Sequence, residues 1–165
     1  MKQFLSILLM LLVFSCSAQE EEIDITGNWY LEATNSGEAL YYNEFFINEE
    51  SFFKYSYPIG MSHGYSYVYE DNILHLIDLD NTKLTGMQIS SIDKNTIILL
   101  FDNDKTITYQ RILDNKVKLK KLATEYHPNF TKEEKIAFEN TYLEAFFSRK
   151  AEWEKTHESM DYFED

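Results

Sequence analysis

Cysteine, proline and glycine are scarce in this chain, and basic residues are far fewer than acidic ones. Its 165 residues include one Cys, two Pro and five Gly. One cysteine excludes an internal disulfide and a zinc site built from several cysteines, and so few Pro and Gly exclude collagen-like or Pro-rich sequence. Fifteen Lys and Arg against 28 Asp and Glu give a net charge of −13. Nucleic acid is therefore an improbable partner, since phosphate binding needs a positive surface.

What the chain has is apolar and aromatic side chains, at 44% and 16% of the residues. This content excludes a wholly disordered chain, and the length fits one domain. An apolar run from Phe4 to Phe14 follows Lys2. The run is shorter than the ~20 residues that span a bilayer, but it suits the hydrophobic part of a secretory signal.

The end of this run carries the first resemblance. Val13-Phe14-Ser15-Cys16 resembles the lipobox of bacterial lipoproteins, an apolar residue followed by a small one and a cysteine. The resemblance implies that residues 1–15 are a lipoprotein signal peptide, which is cleaved before Cys16. It also implies that Cys16 is diacylated on its sulfur and acylated on its new amino terminus, with fatty acids such as palmitate. The alternative is ordinary signal cleavage after Ala18, which would give a secreted protein without an anchor.

Residues 16–26 are predicted to form an acidic tether between the anchor and the folded part. An aspartate directly after the cysteine would resemble a signal for retention in the inner membrane. The residue there is Ser17 instead, which favours the outer membrane of a Gram-negative cell envelope. The run Glu20–Glu22 resembles the acidic tags that export some lipoproteins to the cell surface. Like charges that keep a linker extended explain the run equally well, so the periplasmic and cell-surface faces both stay open.

From Ile25 onward, apolar and polar residues alternate with period two between clusters of turn residues, which predicts short strands. The predicted strands are 27–34, 39–48, 51–58, 64–70, 72–79, 83–92, 95–102 and 105–112. Linkers this short join only antiparallel neighbours, and closure into a barrel removes both exposed edges. The predicted fold is mainly β, a small eight-stranded antiparallel up-and-down barrel over residues 27–112, followed by a C-terminal helical segment.

The first and last strands carry a family resemblance. Thr26-Gly27-Asn28-Trp29-Tyr30 contains Gly-x-Trp, and Tyr109-Gln110-Arg111 ends the last strand. Together they resemble the lipocalin-like (calycin) barrel over about residues 25–112. The resemblance implies that Trp29 lies inside the closed end and that Arg111 packs across it as the barrel-closing structural pair. A guanidinium over an indole gains a cation–π contact.

Residues 113–165 are predicted to be a helical extension. Asp114 precedes a short apolar helical pattern, and Thr131–Glu134 matches a capping box that begins a second helix, predicted to end near Thr156. This helix has an apolar face, whose partner-surface candidates are Phe146, Phe147 and Trp153. A face of this kind packs either on the barrel or on a protein partner.

Aromatic residues concentrate between Tyr41 and Tyr69. By alternation, the candidates for ligand contacts are Tyr41, Asn43, Phe45, Tyr55, Tyr65, Tyr67 and Tyr69. Facing inward, they would line a pocket with apolar walls and hydroxyl tips, suited to an amphipathic ligand. The alternative is that they fill a barrel just wide enough for its own side chains.

Catalytic and metal-binding motifs are missing from the sequence. It has no nucleophile elbow and no Gly-rich phosphate loop, and neither His63 nor His75 has a second histidine at ligand spacing. We therefore expect no enzyme activity, metal or cofactor. The leading hypothesis is a membrane-anchored lipocalin-like module that binds a small amphipathic or lipid-like ligand. The alternative is a non-catalytic interaction or structural lipoprotein, of immunity or envelope-assembly type, whose barrel and C-terminal helix bind a protein.

Overall fold

The computed structural model describes residues 23–36, 41–84, 86–101, 104–125 and 129–157. The strands are β1 Gly27–Thr34, β2 Asn43–Ile47, β3 Ser51–Ser56, β4 Gly60–Met61, β5 Tyr65–Glu70, β6 Ile73–Ile77, β7 Met87–Asp93, β8 Thr96–Leu100 and β9 Thr106–Arg111. Two helices follow, α1 Leu119–Glu125 and α2 Lys132–Trp153. The predicted signal peptide, the lipidated Cys16 and the acidic run Glu20–Glu22 lie outside the described residues.

The strands form a closed antiparallel barrel. Each of β1, β2, β3, β5, β6, β7, β8 and β9 pairs with the next in this order, and β9 returns to pair with β1. The short β4 lies in line with β5, since β3 pairs with β4 through Tyr55 and Ser56 and with β5 through Ser51 and Phe52. The predicted fold class, an eight-stranded antiparallel barrel with a C-terminal helix, is confirmed.

Acidic and amide side chains make the tight turns between strands. Asp71 and Asn72, which join β5 to β6, both have positive φ, at 53° and 59°. A two-residue hairpin turn needs positive φ at both central positions, and Asn and Asp tolerate it better than other non-glycine residues. Several strands are shorter than predicted. The strand predicted over 83–92 begins only at Met87, and Lys83 forms an isolated bridge with Ile77.

Helix α2 packs on the outer wall of the barrel. Thr131 caps its first turn and completes the predicted capping box with Glu134. The face that contacts the barrel buries Tyr142, Ala145, Phe146 and Trp153. In the part of the chain that the structure describes, no helix is long and apolar enough to cross a membrane.

Candidate functional site

Register separates the two faces of the barrel wall, because directly paired residues on neighbouring strands share a face. Trp29 pairs with Phe45 on β2 and with Arg111 on β9. Glu44, one residue before Phe45, is bonded instead to Tyr142 and Arg149 of α2. A helix of 22 residues cannot fit inside a small barrel. The face of Trp29 and Phe45 is therefore the inside.

One end of the barrel is closed by the chain that precedes β1. Residues 23–26 run from the β5–β6 turn, where the Ile23 amide donates to Asn72 Oδ1 (3.5 Å), to β9, where Arg111 donates to the Thr26 carbonyl (2.6 Å). Beneath them, Trp29 is fully buried and donates from Nε1 to the Ile25 carbonyl (3.0 Å). The Arg111 guanidinium carbon lies 4.2 Å from the centre of the indole.

Above this closed end the barrel is filled with side chains. The Phe45 ring centre lies 4.6 Å from that of Tyr109 and 5.3 Å from that of Phe52. Ile89 and Ile97 on the far wall are also buried. This half of the interior is a packed core, as the side-chain-filling alternative anticipates.

The opposite, open end is different. There β3 ends, β5 begins, β6 ends, and β7 and β9 begin. The inward-facing residues at these positions all retain accessible surface and are Lys54, Ser56, Tyr65, Leu76, Met87 and Ile107. Because these inward-facing side chains keep accessible surface, water reaches the inner face of the barrel at this end. We call these six residues the mouth residues.

Lys54 gives the mouth its distinctive chemistry. It pairs with Phe45 in the register and so faces inward, yet it is an exposed residue. Protein surrounds the side chain closely enough that desolvation lowers the pKa of its ammonium below the ordinary 10.5. The side chain is therefore accessible to water and at the same time close to other protein atoms. Among the described residues, none forms an ion pair or a side-chain hydrogen bond with the Lys54 ammonium.

Most of the predicted hydroxyl tips are already engaged. Tyr55 donates to Glu139 Oε1 on α2 (3.1 Å), Tyr67 to the Asn48 carbonyl (2.7 Å) and Tyr69 to Asn72 Oδ1 (3.0 Å). The last two bonds direct their hydroxyls to the closed end. Tyr65 is the candidate tyrosine at the start of β5, and its hydroxyl has no hydrogen bond within the described chain.

Asn43, the first residue of β2, is a buried polar residue that bonds to half-buried Tyr41 just before the strand. Asn43 is 7% exposed and donates from Nδ2 to the Tyr41 carbonyl (3.0 Å) while it accepts from Tyr109. Burial raises the pKa of Tyr109, which keeps this hydroxyl a donor. Asn43 is therefore a satisfied core residue in this structure, with both of its polar atoms in use.

The inward orientation predicted for Tyr55 is wrong. Tyr55 pairs with Glu44 on the outer face, its ring centre lies 4.9 Å from that of Tyr142, and its hydroxyl donates to Glu139 of α2 (3.1 Å). The outer face of β2 and β3 is apolar because α2 covers it. Alternation identifies two faces of a strand, but it does not say which of them a helix covers.

A buried ionic cluster joins α2 to the barrel. Glu44 is 0% exposed and accepts from Tyr42 (2.8 Å) and Tyr142 (2.7 Å). Arg149 donates to it from Nε (2.7 Å) and Nη2 (3.0 Å), and also lies 3.4 Å from Asp114. Sequence reasoning missed this cluster. The sequence feature that could have indicated the cluster is Arg149, which lies at helical spacing on the same face as Phe146 and Trp153.

The three partner-surface candidates on α2 differ in burial. Phe146 and Trp153 are buried against the barrel, with ring centres 5.1 Å and 5.6 Å from that of Tyr42. Phe147 is 39% exposed and stacks edge-on with exposed Tyr57 at 4.8 Å. A small apolar patch is thus left on this side of the molecule.

Two loops meet at the open end. His63 Nε2, between β4 and β5, lies 3.2 Å from Asp78 Oδ1, which follows β6. The His63 ring centre is 4.0 Å from that of Tyr65. Outside the barrel, a cleft of about 670 Å³ runs between β9 and the end of α2. No described residues form a group of three or more His, Cys, Asp or Glu side chains that could hold a metal ion.

Comparison of the chain with models of known protein families finds no match, and comparisons with curated proteins and with solved structures find none either. The closed barrel of antiparallel strands is compatible with a lipocalin-like fold. The geometry of the mouth therefore carries the functional argument.

Proposed function

We propose that this chain is a lipocalin-like binding module that takes a small amphipathic or lipid-like ligand through the open end of its barrel, anchored to the outer membrane through Cys16. The observation that supports the barrel site is the contrast between its two halves. The closed half is packed, whereas apolar mouth residues such as Leu76, Met87 and Ile107 keep accessible surface although they face inward.

The energetics favour an apolar guest. Burial of apolar surface contributes roughly 25 cal/mol per Å², so a ligand that covers the mouth residues gains free energy without displacing a packed core. The filled floor limits the guest to a small molecule or to one end of a longer one. Lys54 and the Tyr65 hydroxyl are polar groups beside this apolar surface, and such a mixture orients an amphipathic ligand.

The alternative, a protein-interaction module, has less surface to use than the sequence suggested. The apolar face of α2 packs against its own barrel through Tyr142, Phe146 and Trp153. What supports this alternative is the remaining pair, Phe147 and Tyr57. Stable protein interfaces usually bury about 800 Å² on each partner, far more than two aromatic side chains offer.

The test uses a neutral hydrophobic fluorescent dye and two substitutions on β6. Leu76 faces inward at the mouth, and the next residue, Ile77, faces outward because it pairs with Ser66. Leu76→Trp should fill the mouth and weaken dye binding about tenfold or more. Ile77→Trp adds the same bulk to the outer face of the same strand and should bind dye as the wild type does.

Both variants would be made in the Cys16→Ala chain, to separate the barrel from the anchor. Circular dichroism and thermal melting establish that each variant is folded. If a folded wild-type barrel binds no dye, or if the two tryptophan variants bind it equally well, the proposed site is wrong.

A further inference from the structure

An unpaired lysine inside the barrel of an acidic protein needs an explanation. Acidic residues outnumber basic ones, 28 to 15, so carboxylates that could pair with a lysine are abundant in this chain. Glu44, next to its cross-strand partner Phe45, faces the opposite way and is committed to Arg149. No carboxylate lies on the inner face of the strands that the structure describes.

Within the described strands, the second cation on the inner face is Arg111, and its guanidinium is already engaged. It lies over Trp29 and donates to the carbonyls of Lys94 (2.9 Å) and Thr26 (2.6 Å). Arg111 is at the closed end, whereas Lys54 is at the mouth. Of the two cations on the inner face of the described strands, Lys54 is thus the one near the mouth.

The neighbours of Lys54 hold its backbone in place. Across the register stands the ring of Phe45, and the backbone of Lys54 is held by Ser62, whose amide donates to its carbonyl (2.7 Å) and whose Oγ accepts from its amide (2.9 Å). These bonds fix the start of the side chain and leave the ammonium free. Tyr65 faces inward on the neighbouring strand β5, and its hydroxyl is a second donor that has no described partner.

We propose that Lys54 pairs with the acid group of the ligand, so that the barrel selects a monoanionic amphiphile, such as a long-chain carboxylate, over neutral and cationic ones. This inference rests on the proposed function. The alkyl chain would cover the apolar mouth residues, while the carboxylate accepts charge-assisted hydrogen bonds from Lys54 and from the Tyr65 hydroxyl. Such a partner would offset the desolvation that lowers the pKa of Lys54.

The experiment compares three probes with one alkyl chain and different head groups: dodecanoate, 1-dodecanol and dodecylammonium. Dodecanoate and dodecylammonium are titrated by calorimetry below their critical micelle concentrations, and dodecanol below its solubility limit. The titrated protein is the Cys16→Ala chain, without further change, with Lys54→Met or with Lys83→Met. Lys83 is a matched control, since it bridges the outward-facing Ile77 near the same end and is exposed. Lys54→Met keeps the length and apolar stem of the side chain and removes the charge.

Dodecanoate should bind the Lys54 barrel most tightly. Lys54→Met should weaken dodecanoate binding about tenfold or more, as expected for the loss of a hydrogen bond to a charged group, and leave dodecanol binding nearly unchanged. Lys83→Met should alter neither affinity. If Lys54→Met leaves the preference for dodecanoate intact, or if Lys83→Met abolishes it equally, Lys54 is not the partner of the acid group.

The two proposals fail in different ways. Dodecanol and dodecanoate that bind equally well to all three chains would overturn the role of Lys54 and leave the carrier function standing. A folded chain that binds none of the three probes would overturn the carrier function itself.

Discussion

Glu44→Ala would remove the carboxylate at the centre of the contact between α2 and the barrel. Glu44 is fully buried, and Arg149, whose side chain is 9% exposed, donates to both of its oxygens. Without the carboxylate, the guanidinium would keep only its more distant contacts, to Asp114 (3.4 Å) and the Val117 carbonyl (3.2 Å). The hydroxyls of Tyr42 and Tyr142 would also lose their acceptor.

Breaking a buried ion pair from one side costs about 3–5 kcal/mol, and a buried donor left without a partner costs about 1–3 kcal/mol. Relaxation and water entry recover part of this sum, so we expect Glu44→Ala to lower the free energy of unfolding by about 4 kcal/mol. That is a large share of the 5–15 kcal/mol typical of a domain.

Urea unfolding followed by circular dichroism measures the loss. Glu144→Ala is the matched control, since Glu144 lies on the exposed face of the same helix, and its loss should stay within about 0.5 kcal/mol. A double variant, Glu44→Leu with Arg149→Met, should be more stable than either single variant, because it leaves no buried charge behind. A loss below about 1 kcal/mol for Glu44→Ala would refute the buried cluster.

Other predictions address the closed end and the anchor. Trp29→Ala should lower the free energy of unfolding by about 3–5 kcal/mol in urea, because it empties the packed core, and a loss under about 1 kcal/mol would mean an exposed indole. Gly27→Ala should melt at a lower temperature than the wild type, since the backbone there has φ of 122° and a Cβ would lie 2.5 Å from Arg111 Nη1; unchanged melting would contradict this geometry. Cys16→Ala should abolish incorporation of labelled palmitate and release the protein from the membrane fraction, whereas a wild type that is itself soluble and unlabelled would rule out the lipid anchor.

The barrel was predictable because its information is local. Alternation with period two gave the strands, and residues such as Asp71 and Asn72 gave the turns between them. Short linkers then left antiparallel neighbours as the only choice, and closure followed from the need to cover two edges. The capping box formed by Thr131 and Glu134 likewise predicts the start of α2 from neighbouring residues alone.

The assignment of inside and outside on β2 and β3 was not local. All five residues of β2 are buried, because the core covers one face and α2 covers the other. Apolar and polar residues then no longer alternate clearly, so the pattern alone predicts that Tyr55 faces inward and gives no role to its neighbour Lys54. Glu44 and Arg149 are 105 positions apart in the sequence, and no sequence pattern predicts a contact between residues so far apart in the chain.

The central claim, that the open end of the barrel binds an amphipathic ligand, is tested most directly by mapping the bound ligand onto the chain. Amide resonances of the Cys16→Ala chain would be followed by NMR during titration with dodecanoate. The account predicts saturable shifts that concentrate at mouth residues such as Lys54, Leu76 and Ile107, with little change at Trp29 on the closed floor. Shifts confined to the outer cleft lined by Tyr30 and Trp153, or no saturable shift at all in a folded chain, would contradict it.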